Sequence, residues 1–216
     1  MTLTIDLFWS FRSPYSYLAT PRLLALRAEW DLAIRFRPVR PLAVRDAGFF
    51  ERIDPRWPLY VVRDVFRLAQ MAGLPFAPPR PDPIVQNMAT REIAAEQPHI
   101  GRLTRLGQAA AEQGDGLAFA HAVASRIWGG TPDWHQGTHL AEAAAVAGLD
   151  WAALDIAERE ETARLDAAIA ANEAAQDASG HWGVPLMLFD GEPFFGQDRI
   201  DVLLWRLRQN GLVARE

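Results

Sequence analysis

The chain has 216 residues, half of them hydrophobic, a formal net charge of −5 and no cysteine, so it can bury a sizeable core as one large domain or as a domain with an insertion. Thiol–disulfide exchange on the chain's own side chains is excluded by the absence of a thiol, and since all 22 Lys and Arg positions are arginine, Schiff-base chemistry on a lysine is excluded as well. The acidic balance and scattered arginines argue against nucleic acid; no run reaches the ~18 apolar residues of a membrane span and the N-terminus lacks a signal-peptide pattern, which reads as a cytoplasmic protein with no membrane partner.

In chain order, Thr4-Ile5-Asp6-Leu7-Phe8-Trp9 is short, apolar and aromatic, as a central strand would be. Ser13 suits a helix N-cap and Pro14 the first helical position, with Tyr17, Leu18, Leu24, Ala25 and Ala28 predicted to face inward. Ala33 to Pro38 alternates, putting Arg35 and Arg37 on one side of a strand and Ile34 and Phe36 on the other. From about Pro41 to Ser179 the pattern is helical. Segments are predicted to begin near Pro58, Asp82, Gly116, Thr138 and Asp150, with Leu59, Val62, Phe66 and Ala69 as an apolar stripe, and with the proline-rich run from Gly73 to Pro81 as a connection. Val184 to Phe189 and Glu192 to Phe195 read as two strands around an Asp190-Gly191 turn, a strong hairpin signal. A last amphipathic helix, roughly Arg199 to Gln209, turns Ile200, Leu203, Leu204 and Leu207 to the core. The order βαβ, helical block, ββα predicts an α/β protein with a thioredoxin-like fold and a large all-helical insertion: residues 1–40 and 180–216 form a discontinuous thioredoxin-like domain and residues 41–179 the insertion.

Four groups of residues stand out: Ser13-Pro14-Tyr15-Ser16-Tyr17-Leu18, Arg37-Pro38, Gly183-Val184-Pro185 and Phe195-Gly196-Gln197-Asp198-Arg199. In this order, around a helical insertion, they resemble the 2-hydroxychromene-2-carboxylate isomerases and the related kappa-class glutathione transferases, within the wider Dsb-type superfamily. The resemblance covers nearly the whole chain. It implies glutathione as cofactor, with the Ser13 hydroxyl bonded to the bound sulfur as the catalytic group, Val184 and a cis Pro185 pairing with the tripeptide backbone, and Gln197 and Asp198 holding its γ-glutamyl end. The physical chemistry agrees: a helix N-terminus stabilises a thiolate from any source, and an acidic side chain pairs with an ammonium. Bland readings stand beside these. Ser13 as a plain N-cap is worth ~1 kcal/mol and carries no chemistry, Pro185 as a trans proline starts a strand, and Asp198 is another helix cap.

Substrate contacts are assigned to Tyr15, Trp57, Arg37 and His181. Arg37 offers a bidentate fork for a carboxylate, against the alternative of a surface arginine with an acidic neighbour; His181 can move protons near neutral pH or be a loop residue. Between Leu42 and Tyr60 the chain departs from its relatives, with Gly48-Phe49-Phe50 and Arg56-Trp57-Pro58 in place of polar residues; Phe49, Phe50 and Trp57 are candidates for an apolar pocket. His135 and His139 have the spacing of a metal pair, but without a third ligand no metal is assigned. The resemblance implies an isomerase acting on an unsaturated aromatic carboxylate by reversible thiolate addition, with a homodimer as a familiar assembly of such relatives. The alternatives are a kappa-like transferase, which consumes glutathione, and a non-catalytic module whose groove holds a peptide.

Overall fold

β1 (Leu3–Trp9), α1 (Pro14–Glu29) and β2 (Leu32–Pro38) open the chain in the predicted order in this computed structural model, which describes residues 2–46, 48–87, 90 and 92–215. β1 and β2 are parallel, in register from Leu3 opposite Leu32 to Trp9 opposite Pro38, and α1 is the crossover that a parallel pair requires. After the helical segment, β3 (Leu186–Phe189) and β4 (Glu192–Phe195) form a hairpin. Its two loop residues, Asp190 and Gly191, have φ of 50° and 78°, the left-handed pair of a type I′ turn. β3 runs antiparallel to β1, which gives the order β2-β1-β3-β4.

Between β2 and β3 lie α2 (Leu42–Arg45), α3 (Phe49–Arg52), α4 (Arg56–Ala72), α5 (Pro98–Gln113), α6 (Gly116–Trp128), α7 (His139–Val146), α8 (Trp151–Glu160) and α9 (Thr162–Ala178); α10 (Ile200–Gln209) closes the fold. Period-two alternation divides the sheet between two apolar layers. Ile5, Leu7 and Trp9 join Phe36, Met187 and Phe194 in a cluster that continues through Leu103, Phe119, Val123, Ile127 and Leu154 of the helices. Phe8, Val39 and Leu186 form a smaller cluster on the other face, against Ala175 of α9. α5 packs on β2, α6, α8 and α9, while α6 packs on α1 and α7. Among the described residues no helix is long and apolar enough to cross a membrane.

Three details of the sequence reading need correction. No helix begins near Asp82: Pro79, Pro81 and Pro83 deny backbone donors to any helix there, and among the described residues before α5 the chain makes an isolated bridge, Gln86 to Ile93. On α1, Leu23 and Leu26 are buried with Tyr17 and Leu18, whereas Ala25 and Ala28 are exposed. On α4, Val65 and Ala69 face the core, and Leu59, Val62 and Phe66 are half exposed or more. That helix carries two apolar stripes, and periodicity cannot say which one is covered.

The joint between α1 and α6 is electrostatic as well as apolar. Asp115 caps α6 through the Ala118 N–H at 2.9 Å and takes Arg27 of α1 bidentately at 2.8 and 2.9 Å. Burial pushes the Asp115 carboxyl up, but the Arg27 and Ala118 bonds together more than offset it and leave it below its ordinary value. Asp115→Ala is expected to destabilise the fold by about 1–2 kcal/mol, as loss of a good cap does. In urea titrations the wild-type advantage should be full at neutral pH and disappear as pH falls through the depressed Asp115 pKa.

Candidate functional site

Ser13 is the N-cap of α1, extended at φ −94° and ψ 113°, with its Oγ accepting the Ser16 N–H at 3.1 Å. The same hydroxyl donates to the Val184 carbonyl at 3.3 Å, the long end of the hydrogen-bond range. Val184–Pro185 is a cis peptide, and the Pro185 carbonyl accepts the Gly196 N–H at 2.9 Å. That bond delivers the 3-10 turn Gln197–Arg199 to the same end of the sheet, where Arg22 of α1 holds the Gln197 carbonyl at 3.0 Å. Segments more than 170 residues apart in sequence therefore converge on the start of one helix.

Gly196 is required at this turn. Its φ is 99°, and a Cβ there would lie 2.6 Å from Asp198 Oδ1. Asp198 itself is exposed and pairs with Arg199 at 2.8 Å. Tyr15, on the first turn of α1, donates its hydroxyl to Asp64 Oδ2 at 2.9 Å, and Tyr60 donates to the other oxygen at 3.3 Å. Burial first, then the Asp64 bond, raise the Tyr15 pKa far above that of an ordinary tyrosine, so the group stays a protonated donor.

An aromatic wall borders the cis peptide. Trp57 meets Phe49 at 6.2 Å, Phe49 meets Trp182 at 5.9 Å, and Trp182 meets Phe195 at 6.3 Å between ring centroids. His181 stacks on Phe195 at 4.0 Å. Trp57, Trp182 and Phe195 are 44%, 52% and 41% exposed, too open for packing residues and grouped as a binding surface is. His181 Nδ1 accepts the Gly183 N–H at 3.0 Å, which places the ring proton on Nε2; burial pushes its pKa below the ordinary histidine value.

Of the residues singled out from sequence, Ser13, Tyr15, Trp57, His181, Val184, Pro185, Gln197 and Asp198 all belong to this end of the molecule. Arg37 does not. Its Nε donates to Asp6 at 2.7 Å and its Nη1 to Asn172 at 3.3 Å, with Arg35 sharing the same Asp6. The pleat puts Asp6 and Phe8 on the face of the sheet opposite the α1 layer, so Arg37 is a structural ion-pair member and is not turned toward Ser13. The Phe50 side chain lies outside the described residues. His135 packs with His99, ring centroids 4.5 Å apart, and among the described residues no three His, Asp or Glu side chains gather as a metal would need. Tyr60 and Asp64, one turn apart on α4, escaped the sequence reading, although Tyr-x-x-x-Asp on a helix places both on one face. Arg45 and Gln176, which reach the loop before Val184, gave no sequence signal.

A capped helix N-terminus set against a cis proline, at the ends of the two central strands of a sheet with parallel and antiparallel neighbours, defines a thioredoxin-class protein. The chain belongs to the DsbA-like thioredoxin family, whose DSBA-like thioredoxin domain matches residues 4–208. It is 30% identical over 208 residues to 2-hydroxychromene-2-carboxylate isomerase of Sphingobium xenophagum, covering 94% of this chain and 97% of that one. A solved 2-hydroxychromene-2-carboxylate isomerase superposes with a TM-score of 0.68 at 26% identity, over 96% of this chain and 98% of the other. The cytosolic disulfide reductase DsbM of Pseudomonas aeruginosa, 19% identical, superposes with a TM-score of 0.59 over 96% and 100% of the two chains, a likeness of fold alone.

Two outcomes follow from the site's geometry. A Cβ on Gly183 would collide with the Phe195 ring, so Gly183→Ala should displace Phe195 from His181 and change the intrinsic fluorescence of the neighbouring Trp182, while the melting temperature falls by only a few degrees. His99, His121 and His181 all have pKa values lowered mainly by burial, so the fold keeps them neutral while an unfolded chain protonates near 6.5. Stability is then full above about pH 6.5 and is lost as pH falls through that value toward the lower folded pKa values. Calorimetric scans from about pH 7.5 to 5.5 should show a falling melting temperature, and His181→Asn, whose amide oxygen accepts the Gly183 N–H without titrating, should soften the fall.

Proposed function

We propose that the protein is a glutathione-dependent isomerase of the 2-hydroxychromene-2-carboxylate type, acting on an unsaturated aromatic carboxylate. The observation that carries this reading is the Ser13 hydroxyl, at the positive end of α1 and bonded to the Val184 carbonyl of a cis Val184–Pro185 peptide, in a chain with no thiol of its own. The 30% identity to the isomerase of Sphingobium xenophagum along nearly the whole chain supports it. The proposed cofactor is one of reducing compartments, in keeping with a cytoplasmic location.

The residues present fit that cofactor. The Val184 N–H lies outside the sheet, whose ladder begins at Leu186, and the weak Ser13–Val184 bond occupies a donor and an acceptor that a tripeptide thiol would claim separately. Ser13 Oγ would hold the sulfur, the Val184 carbonyl would accept an amide N–H of the tripeptide, and Gln197 and Asp198 would hold its γ-glutamyl end. When bound, glutathione would supply a thiolate nucleophile for reversible addition to an electron-poor carbon. The N-terminal amides of α1, among them the Tyr15 N–H that has no intrahelical acceptor, hold negative charge at that position. The Trp57–Phe49–Trp182 wall takes the planar face of the substrate, and the neutral His181 ring N–H flanks it as a donor, while Tyr15, its one O–H held by Asp64, offers its hydroxyl oxygen as an acceptor.

Ser13→Ala should lower isomerisation by about 10²-fold, as removal of one preorganised donor does, with the melting temperature nearly unchanged because a cap is worth only ~1 kcal/mol. Absorbance of a 2-hydroxychromene-2-carboxylate followed together with a thiol assay provides the check. Turnover without glutathione loss is the expected result; stoichiometric consumption would make the protein a transferase, and no glutathione binding in calorimetry would leave a binding module.

We also assign the uncovered stripe of α4 to a second copy of the chain. Leu59, Val62 and Phe66 are 64%, 64% and 50% exposed, on the helix whose Tyr60 and Asp64 support Tyr15, and an isologous pair would bury this patch against itself. Light scattering should give twice the chain mass for the wild type and a shift toward monomer for Val62→Asp.

A further inference from the structure

Residues 181–184 carry both sides of the proposed site: the rings of His181 and Trp182 and the backbone of Val184. They precede the sheet, so their carbonyls must find partners elsewhere. Gln176, wholly buried near the C-terminal end of α9, donates its amide to the Gly183 carbonyl at 2.8 Å. Arg45, the last residue of α2, donates from Nη2 to the Trp182 carbonyl at 3.2 Å and to Gln176 Oε1 at 3.0 Å. Its side chain is only 13% exposed, with Asp177 at 3.7 Å, beside a cleft of ≈ 500 Å³ shared with Arg40, Leu42 and Glu173. Among the described residues the buried Arg45 Nε has no partner, a burial that opposes stability and is offset by the bonds of the other nitrogens.

Peptide planarity turns these two contacts into control of the site. The Gly183 carbonyl and the Val184 N–H belong to one planar, trans unit and point in opposite directions. Drawing the carbonyl toward Gln176 on α9 therefore aims the Val184 N–H away from α9. In the same way the Trp182 carbonyl, held by Arg45, fixes the plane that contains the Gly183 N–H, and that N–H orients the His181 ring through Nδ1 at 3.0 Å. Glycine at 183 leaves these planes free to rotate if the tethers are lost.

We infer that Arg45 and Gln176 are positioning residues: a two-residue tether from α2 and α9 that sets the orientation of the Val184 backbone, which binds the cofactor, and of the His181–Trp182 rings, which face the substrate. This rests on the functional reading above for its kinetic consequence, but not for its structural one. Arg45→Met and Gln176→Met keep the side-chain stems and remove the donors, and Arg45→Lys restores one. Two readouts separate the ideas. In the protein without ligand, hydrogen exchange at the Gly183 N–H, resolved by NMR, should accelerate about tenfold or more in both Met variants while amides of α5 stay protected. In isomerisation assays the KM for glutathione should rise about tenfold with kcat changed far less, since what is lost is preorganisation of a binding group, and Arg45→Lys should recover part of it. Unchanged Gly183 exchange in Arg45→Met and Gln176→Met, or a kcat loss at constant KM that merely follows the folded fraction, would overturn the tether. If the wild type fails to bind glutathione, the functional reading fails, and the exchange experiment still decides whether the tether exists.

Discussion

The position of the site depends on one buried indole. Trp9, at the last residue of β1 and wholly buried, donates its Nε1–H to the Ser16 carbonyl at 3.1 Å and the Thr20 hydroxyl at 3.0 Å, which pins the first turn of α1 over the end of the strand that precedes it. The short link between them has little freedom left. The Ser13 N–H returns to the Ser10 carbonyl at 3.1 Å, Trp128 of α6 holds the Phe11 carbonyl at 3.2 Å, and Arg12 reaches Asp82 at 2.5 Å. A helix terminus is a useful ligand for negative charge only if it cannot rotate away when charge arrives. Here the sheet, the helical segment and Asp82, just after the Gly73–Pro81 connection, each hold one part of the link.

That rigid start explains why the electrostatics at Ser13 are simple. Tyr15 is held protonated by burial and by Asp64, and His181 is held neutral by burial, so neither contributes charge near neutral pH. Arg12 is matched by Asp82, and Arg37 by Asp6 on the other face. The α1 terminus adds a positive partial charge that is aimed and does not move. In the proposed reaction such a field would favour the free thiolate, before it adds and after it is expelled.

How much of this was legible follows from the range of each interaction. β1, β2 and the β3–β4 hairpin are short patterns, and Asp190-Gly191 marks its turn by local conformational preference alone. Ser13 and Val184-Pro185 were legible because motif order survives a long insertion between them. Arg37 misled because alternation tells which face of a strand a residue occupies and not what covers that face; the cue was Asp6, the lone charge in an apolar strand, which the register sets opposite Arg35. On α4 both stripes are apolar, so the helix was legible and its rotation was not. Arg45 and Gln176 stand 131 residues apart, joined only by the packing of α9 on the sheet, and no local pattern encodes such a contact.

A serine in this place also changes what the fold can do chemically. A thiol at the α1 terminus would be acidified and would take part in exchange itself; a hydroxyl there does not ionise near neutral pH and serves only as donor and acceptor. In the proposed reaction the electrostatic part of the site would thus be kept in the protein while the nucleophile is left to a diffusible partner. In the proposed reaction this division has a consequence for specificity: the sulfur must arrive on a molecule with a backbone that the Val184 peptide can pair with and an end that the Gln197–Asp198 turn can hold. A small thiol lacking those groups would meet the same field at Ser13 but would be poorly placed, because orientation, not basicity, is what residues 181–184 and 196–198 provide.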